Sequence, residues 1–511
     1  MTRYRHLITE DNRRWWTLGA MCFALFMVML DNTVVNVALP SIQRDLHAEI
    51  SELEWIVNGY TLTFAVLIAT GGRLGDIFGR RLMFLAGVVV FAITSATAGF
   101  AANSEMLIAS RAVQGVGAAL MMPATLSIIT HAFPAAERGK AIGTWAGVSA
   151  LALSIGPVVG GFLTEYVSWR AIFFINLPVA AGAVIATVFA VRESRDETVD
   201  RRVDYPGVLV LTAALTAIVL ALIEGNSWGW GSTPIVSLLV GGTLGLAAFV
   251  AIELRVPAPM VEFGLFRTRQ FIGSNLVAFI ITFAMMGSFF FLAIYMQDVL
   301  RYSALEAGIR FLPTTMVIAV VAPIAGRLAD RLGPAWPMGV GLSVLTVSMF
   351  MFSSIDVETT YSGLLLPFML MGLGIALVMS PMSTAAMNAV SVQKSGVASG
   401  VLQMSRMIGA SVGVAATGAI FQSELGSGFD PAALASAPDQ ARALFVDALG
   451  SAMLLAAFVV IAGLLVVLTL VRGARARRVD THAAAQESVD ALPEAAVAED
   501  VPQPHKEPAG V

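Results

Sequence analysis

The chain has 511 residues, 57% of them apolar and only 13% charged, and 31 Lys and Arg set against 35 Asp and Glu leave a net charge of −4. A water-soluble protein of this size carries about 25% charged residues, whereas a surface facing lipid needs almost none. That excludes a soluble enzyme, and the lack of any contiguous basic stripe excludes a nucleic-acid-binding protein. The single cysteine, Cys22, lies in the first apolar run. It has no disulfide partner and no metal-ligand spacing around it, and it reads as a small core residue.

A helix crossing the hydrocarbon core needs about 20 apolar residues. The N-terminal segment MTRYRHLITEDNRRWW is basic and polar, and no small-residue cleavage site follows the first run. That run is therefore expected to be a retained span. In chain order the runs extend from Trp16 to Ala38, Trp55 to Gly71, Leu82 to Phe100, Leu107 to Thr130, Ala141 to Leu163 and Ile172 to Val191. Two more follow, from Val208 to Ile223 and Ile235 to Ile252. The last six run from Phe271 to Tyr295, Ile309 to Ala325, Met338 to Ser353, Leu364 to Ala389, Val397 to Phe421 and Ala452 to Val471. The segment from Ser423 to Gly450 reads as a long external loop, and Trp228 and Trp230 as markers of the membrane interface. Residues beyond Arg478 are rich in Ala, Glu and Pro and too poor in large apolar side chains to build a core, so the tail is expected to be disordered.

Direction follows from Lys and Arg. With the N-terminus inside, only Arg44, Arg170, Arg301, Arg310 and Arg442 fall on external segments; Arg111 and Arg406 lie within spans, and the rest of the 31 are cytoplasmic. Under the positive-inside rule this predicts a multi-pass protein of the inner (cytoplasmic) membrane with both termini in the cytoplasm.

The string GRLGDIFGRR starts at Gly72, after the second span, and GRLADRLGPA starts at Gly326, after the tenth. Two copies in one orientation point to two similar halves related by an axis along the membrane normal. The turn resembles the signature of the major facilitator superfamily through Gly72, Leu74, Asp76, Gly79, Arg80 and Arg81, departing at Ile77, where the family often has a basic residue. More narrowly the chain is similar to the fourteen-span drug:proton antiporter family. LDNTVVNVALP (Leu30 to Pro40), RAVQGVGAA (Arg111 to Ala119), GPVVGG (Gly156 to Gly161) and YSALEAGIRFLP (Tyr302 to Pro313) carry that resemblance. Ala152 stands where the fifth-helix motif commonly has a further glycine. The resemblance implies an all-α membrane protein of two six-helix bundles plus two inserted transmembrane helices. The expected divisions are 1–192 for the first bundle, 193–270 for the linker with the inserted pair, 271–471 for the second bundle and 472–511 for a cytoplasmic tail.

Ionisable groups inside spans are expensive and mark function. Asp31 lies about 15 residues, or roughly 22 Å, into the first span. Burial disfavours its carboxylate and a nearby cation favours it, so a group balanced between the two can take up and release a proton. A helix-end carboxylate wetted by the external loop is the alternative. Arg111, on the fourth span, is expected to face the protein interior unless it snorkels to the surface, with Gln114 one turn away. The resemblance implies proton coupling for Asp31 and Arg111. Arg406, in QMSRMIGASVG, suits either a structural ion pair or a transport role, and Glu224 reads as interfacial. Gly72, Asp76 and Arg80 read as gating structure, as does Asp330 in the repeated turn. Gly156, Pro157, Gly160 and Gly161 leave one face of the fifth span nearly bare and open to close helix approach; the resemblance implies that this face seals the outer side, a gating role, and small-residue packing with no special role is the alternative. Asn36, Trp55, Tyr60, Gln114 and Arg406 are candidates for the substrate cavity. The methionines suit a pocket of adaptable shape, but equally suit ordinary packing.

No Walker loop, zinc spacing or nucleophile elbow occurs, and GVGAA and GLGIA fall inside spans, which rules out a dinucleotide site. No cofactor or metal is expected, and without an ATP site the energy comes from a gradient. The leading expectation is a monomer that exports lipophilic or cationic drugs and antibiotics by proton antiport, with protons, a small lipophilic molecule and membrane lipid as partners. An exporter of an endogenous metabolite, lipid or siderophore on the same scaffold is the alternative, and a receptor or membrane enzyme a remoter one.

Overall fold

The computed structural model describes residues 9–195, 204–257, 259, 261–390, 395–425 and 438–471. The terminal tail, including its expected disorder, and the end of the expected loop after Leu425 up to residue 437 lie outside them, as does the side chain of Asp330. Every regular element among the described residues is helical. The chain runs through α1 (Glu10–Leu46), α2 (Ile50–Phe78), α3 (Arg80–Gly99), α4 (Ser104–Ala132), α5 (Ala135–Tyr166), α6 (Ala171–Phe174) and α7 (Asn176–Ala190). Then come α8 (Tyr205–Trp228), α9 (Thr233–Glu253), α10 (Arg269–Ile294), α11 (Ala304–Arg310), α12 (Leu312–Leu332), α13 (Ala335–Ser353), α14 (Tyr361–Asn388), α15 (Ser395–Leu425) and α16 (Pro438–Leu470). Counting α6 with α7 and α11 with α12, fourteen helices are long and apolar enough to cross a membrane. This is an all-α membrane fold.

Several elements differ from their apolar runs. At 37 residues, α1 is about 55 Å long at 1.5 Å per residue, well beyond the core it crosses. The external loop expected up to Gly450 is shortened, because α16 already begins at Pro438. Its first turns hold Asp and Arg, which hide it from a search for apolar runs, yet Ala441, Phe445, Val446 and Leu449 are buried there. The tenth span starts earlier, at Ala304, with Ser303 and Glu306 forming a reciprocal capping box at the head of α11. The sixth is broken at Ile175 between α6 and α7.

Fourteen crossings put the start of α1 and the end of α16 on one face, called here the terminal face. Helices α1 to α7 pack on one another, as do α10 to α16, while α9 packs on α8 and α8 leans against α2 and α15. The inserted pair thus stands beside the seam between the halves.

The halves meet from mid-depth to the opposite face. Helix α5 is pressed between α1 and α11. A methyl group added at Gly160 would lie 2.9 Å from Val34 of α1, and one at Gly161 would lie 2.5 Å from the Ala304 carbonyl oxygen of α11. Gly308 of α11 seats against the Pro157 carbonyl, and Gly156 against Thr33. Around them the Leu305 amide donates to Glu165 (3.0 Å), Thr315 to the Ser154 carbonyl (3.3 Å) and Gln297 to the Val37 carbonyl (2.8 Å). By contrast, side chains added at Gly147 on α5 and Gly400 on α15, nearer the terminal face, would meet nothing within 4 Å.

Because the seam closes on backbone contacts that only glycine admits, a Gly161→Leu substitution should hold α5 and α11 apart without altering span hydrophobicity. A reporter at the buried Ser154 (Ser154→Cys in a Cys22→Ser background) should then react several-fold faster with an impermeant maleimide from the opposite face. Equal reaction rates would contradict this role.

Candidate functional site

The first half holds a buried polar cluster assembled from five elements. Asp31 of α1 is fully buried and Arg111 of α4 keeps 2% of its surface exposed. One Asp31 oxygen accepts from Arg111 Nη1 at 2.5 Å. The other accepts from Gln114 Nε2 and from Asn176 Nδ2, each at 3.2 Å. Arg111 Nη1 also donates to Gln114 Oε1 (2.6 Å), and its Nε donates to the Ile56 carbonyl of α2 (3.2 Å). Ser95 of α3 accepts from Gln114 (2.8 Å) and from Asn176 (3.2 Å). The Tyr60 ring lies 4.3 Å beneath the guanidinium, where the negative ring face attracts the cation.

Local structure explains the placement. Arg111 and Gln114 are three residues apart on α4, so they share a face and reach α1 together. Asn176 opens α7 at the break in the sixth span, and Pro178 two residues on suits a restarting helix. The break aims a side-chain amide at Asp31. Both carboxylate oxygens are engaged, by three donors in all, which is how a buried charge becomes tolerable.

The structure therefore brings together Asp31, Arg111, Tyr60 and Gln114. Tyr60, taken from the sequence as a cavity group, and Gln114, taken both as a cavity group and as a partner of Arg111, have no exposed surface and contact the ion pair. Asn36 is buried and turns its amide to the Asn32 carbonyl on its own helix (3.3 Å), while Trp55 is half-buried against the core. Arg406 stands apart on α15. Its Nη2 donates to Ser383 of α14 (2.8 Å), its Nε is buried without an acceptor, and among the described residues no carboxylate pairs with it. Ser95 and Asn176 escape sequence reasoning. Small polar residues in helices usually bond their own backbone, as Thr94 does with the Val90 carbonyl (2.7 Å). The only cue is Asn before Pro inside an apolar run.

At the terminal face, Asp76 accepts from Arg80 Nε (3.2 Å) and Nη2 (3.0 Å) across the α2–α3 turn. Gly79 there has φ +120°, a backbone region that side chains avoid. A partner not read from the sequence, Glu193 after α7, caps α3 by accepting from the Arg81 and Leu82 amides at 3.0 and 3.1 Å. Close approach to α4 falls to Gly71, whose added methyl would run into the Ala119 carbonyl; at Gly72 it would only touch Pro123 at 3.4 Å.

Two six-helix halves with a closed seam, and a charge pair buried inside one of them, are the architecture of a polytopic helical membrane protein, and its family and fold point to a transporter. The model of the Major Facilitator Superfamily matches residues 21–414, and the chain belongs to that superfamily. It is 35% identical over 417 residues to a tetracenomycin C resistance and export protein of Streptomyces glaucescens, covering 82% of this chain and 78% of that one. It is 38% identical over 410 residues to the puromycin resistance protein pur8 of Streptomyces alboniger (79% and 81%). The multidrug resistance protein Stp of Mycobacterium tuberculosis is 35% identical over 425 residues (83% and 79%). Among solved structures, a bacterial homologue of the human lysosomal transporter Spinster, inward-facing and occupied, shares the fold with a TM-score of 0.63 at 18% identity, over 89% of this chain and 96% of that one. The peptide transporter POT does so with 0.63 at 15% identity (91% and 100%).

Removing one partner of a buried ion pair strands the other and costs about 3–5 kcal/mol. Asp31→Ala and Arg111→Ala should each lower unfolding stability in detergent by about that much, and the double variant by clearly less than the sum. Additive losses would mean that the two groups do not depend on each other.

Proposed function

We propose that the protein exports lipophilic, antibiotic-like small molecules across the cytoplasmic membrane in exchange for protons. The observation that carries this reading is the fully buried Asp31 carboxylate bound to Arg111, in a chain whose relatives bear the names of antibiotic resistance and export proteins. The terminal face is the cytoplasmic one, with both termini there, and the state described is sealed towards the outside. Residues 1–192 and 271–471 move as two bodies around the inserted pair within 193–270.

Protonation of Asp31 neutralises its charge and removes what holds Arg111 in place. The rearrangement has a route to the gate. Thr33 and Val34 follow Asp31 on α1 and bear on Gly156 and Gly160 of α5, whose other side bears on α11 through Pro157 and Gly161. A proton taken up from outside and released inside then drives substrate the other way by alternating access. The turn of Gly72, Asp76 and Arg80 takes part in gating at the cytoplasmic face. Asn36, Trp55, Tyr60, Gln114 and Arg406 are the candidates for substrate contact, Tyr60 and Gln114 through their place beside the ion pair.

Asp31→Asn keeps the size and hydrogen-bonding capacity of the side chain but cannot titrate. In proteoliposomes with an imposed pH gradient and a panel of lipophilic cationic and neutral compounds, it should abolish uphill export while substrate binding at fixed pH persists. Uphill pumping by this variant at the wild-type rate would remove Asp31 as the proton carrier.

A further inference from the structure

A second carboxyl is buried at the seam itself, outside the cluster of Asp31. Glu54 lies one turn into α2 from the opposite face and has no exposed surface. Its Oε1 accepts from Gln422 Nε2 of α15 at 3.0 Å, while its Oε2 is buried without any hydrogen-bond partner. The carboxyl fits against Gly418 of α15, where even a methyl group would collide with it. One turn further along α2, Ser411 donates to Asn58 Oδ1 across the same seam at 2.7 Å.

Among the described residues, no cation pairs with this group. Arg111 of α4 is engaged by Asp31. Glu52, on the same helix, accepts from Ser104 of α4 and from the Glu49 amide, and Glu424 of α15 accepts from Ser451 of α16. Glu224, near the end of α8, adds a charge of like sign on this side of the seam. Helix α8 also closes the seam at this level, where Asn226 Nδ2 donates to the Ala419 carbonyl at 2.6 Å and Trp230 Nε1 holds Asn226 Oδ1 at 2.8 Å.

An ionised carboxylate at this position would have one bare oxygen, no counter-charge and a like charge nearby, which is far more costly than a neutral acid in the same place. Once α2 and α15 part, water reaches the carboxyl and the penalty vanishes. We propose that Glu54 is a proton-binding site separate from Asp31, which takes up one proton from the opposite face whenever the α2–α15 seam closes and returns it to that face when the seam opens. Gly418 supplies the socket, and α8 of the inserted pair supplies the wall and, through Glu224, the repulsion that opens an unprotonated seam. Because the site is sealed whenever the terminal side is open, its proton does not cross the membrane. It makes closure depend on acidity at one face and leaves the number of protons exchanged per substrate unchanged.

The inference does not depend on the identity of the substrate, so its test uses none. Spin labels at two exposed positions near the seam, Ala102→Cys and Ser423→Cys in a Cys22→Ser background, report the separation of the halves by pulsed electron resonance in nanodiscs over a pH series. With Glu54 present, the short-distance population should give way to a longer one as the pH rises. Glu54→Gln should stay short at every pH, Gly418→Ala should stay long at every pH, and Glu224→Gln should lower the open fraction reached at high pH. The pH response should persist in Asp31→Asn, which separates this site from the proposed proton carrier. A pH response unchanged by Glu54→Gln, absent with Glu54 intact, or lost in Asp31→Asn would overturn the assignment.

Discussion

Arg111 turns a permanently charged guanidinium into a helix bundle in which only 2% of its surface is exposed, and everything around it answers that fact. Arginine does not shed its proton in proteins, so the interior must supply a counter-charge and acceptors for its donors. Asp31 supplies the charge, Gln114 and the Ile56 carbonyl the acceptors, and Tyr60 an aromatic face. Asp31 in turn leans on amides from Gln114 and Asn176. Helices α1, α2, α3, α4 and α7 are thereby tied at one point that cannot change its charge without changing its packing. That property distinguishes the cluster from an ordinary core contact, whose energy is indifferent to pH.

The same constraint reaches the seam through backbone rather than side chains. Thr33 and Val34, two and three residues beyond Asp31, lie where Gly156 and Gly160 leave α5 bare, and Gly161 and Gly308 let α5 touch α11 of the other half. With no flexible side chains in between to absorb a displacement, a shift of α1 must be passed on or resisted as a whole, because packed interiors are stiff. The charge pair and the closed seam are two ends of one short column of helices.

Much of this fold is legible in the sequence because lipid imposes a blunt rule: spans must be apolar for about 20 residues. The rule fails where helices outlast the hydrocarbon, as in the early turns of α16, and where a span breaks, as at Ile175. Asp31 and Arg111 stand out as ions in apolar runs. Ser95 and Asn176 do not, since a lone small polar residue in a helix has its own backbone to bond and only the tertiary fold assigns it another partner. Gln114, one turn from Arg111, is legible as its partner, whereas Tyr60 reads only as polar lining and the depth of Arg111 draws it into the cluster. Glu54 was silent for the opposite reason. A glutamate one turn in from a helix end is normally wetted, and only the approach of α15, made possible by Gly418, takes the water away.

On the proposed exchange, the charge state of Asp31 changes during the working cycle and Arg111 responds to it. Infrared difference spectroscopy of the reconstituted protein between acidic and alkaline buffer reads this directly, with Asp31→Asn as the reference that removes one carboxyl signal. The account predicts a protonated-carboxyl band on acidification that is absent from Asp31→Asn, accompanied by a shift of guanidinium bands that is absent from Arg111→Lys. Identical carboxyl difference spectra with and without Asp31 would show that this group keeps one charge state throughout, and would contradict the account.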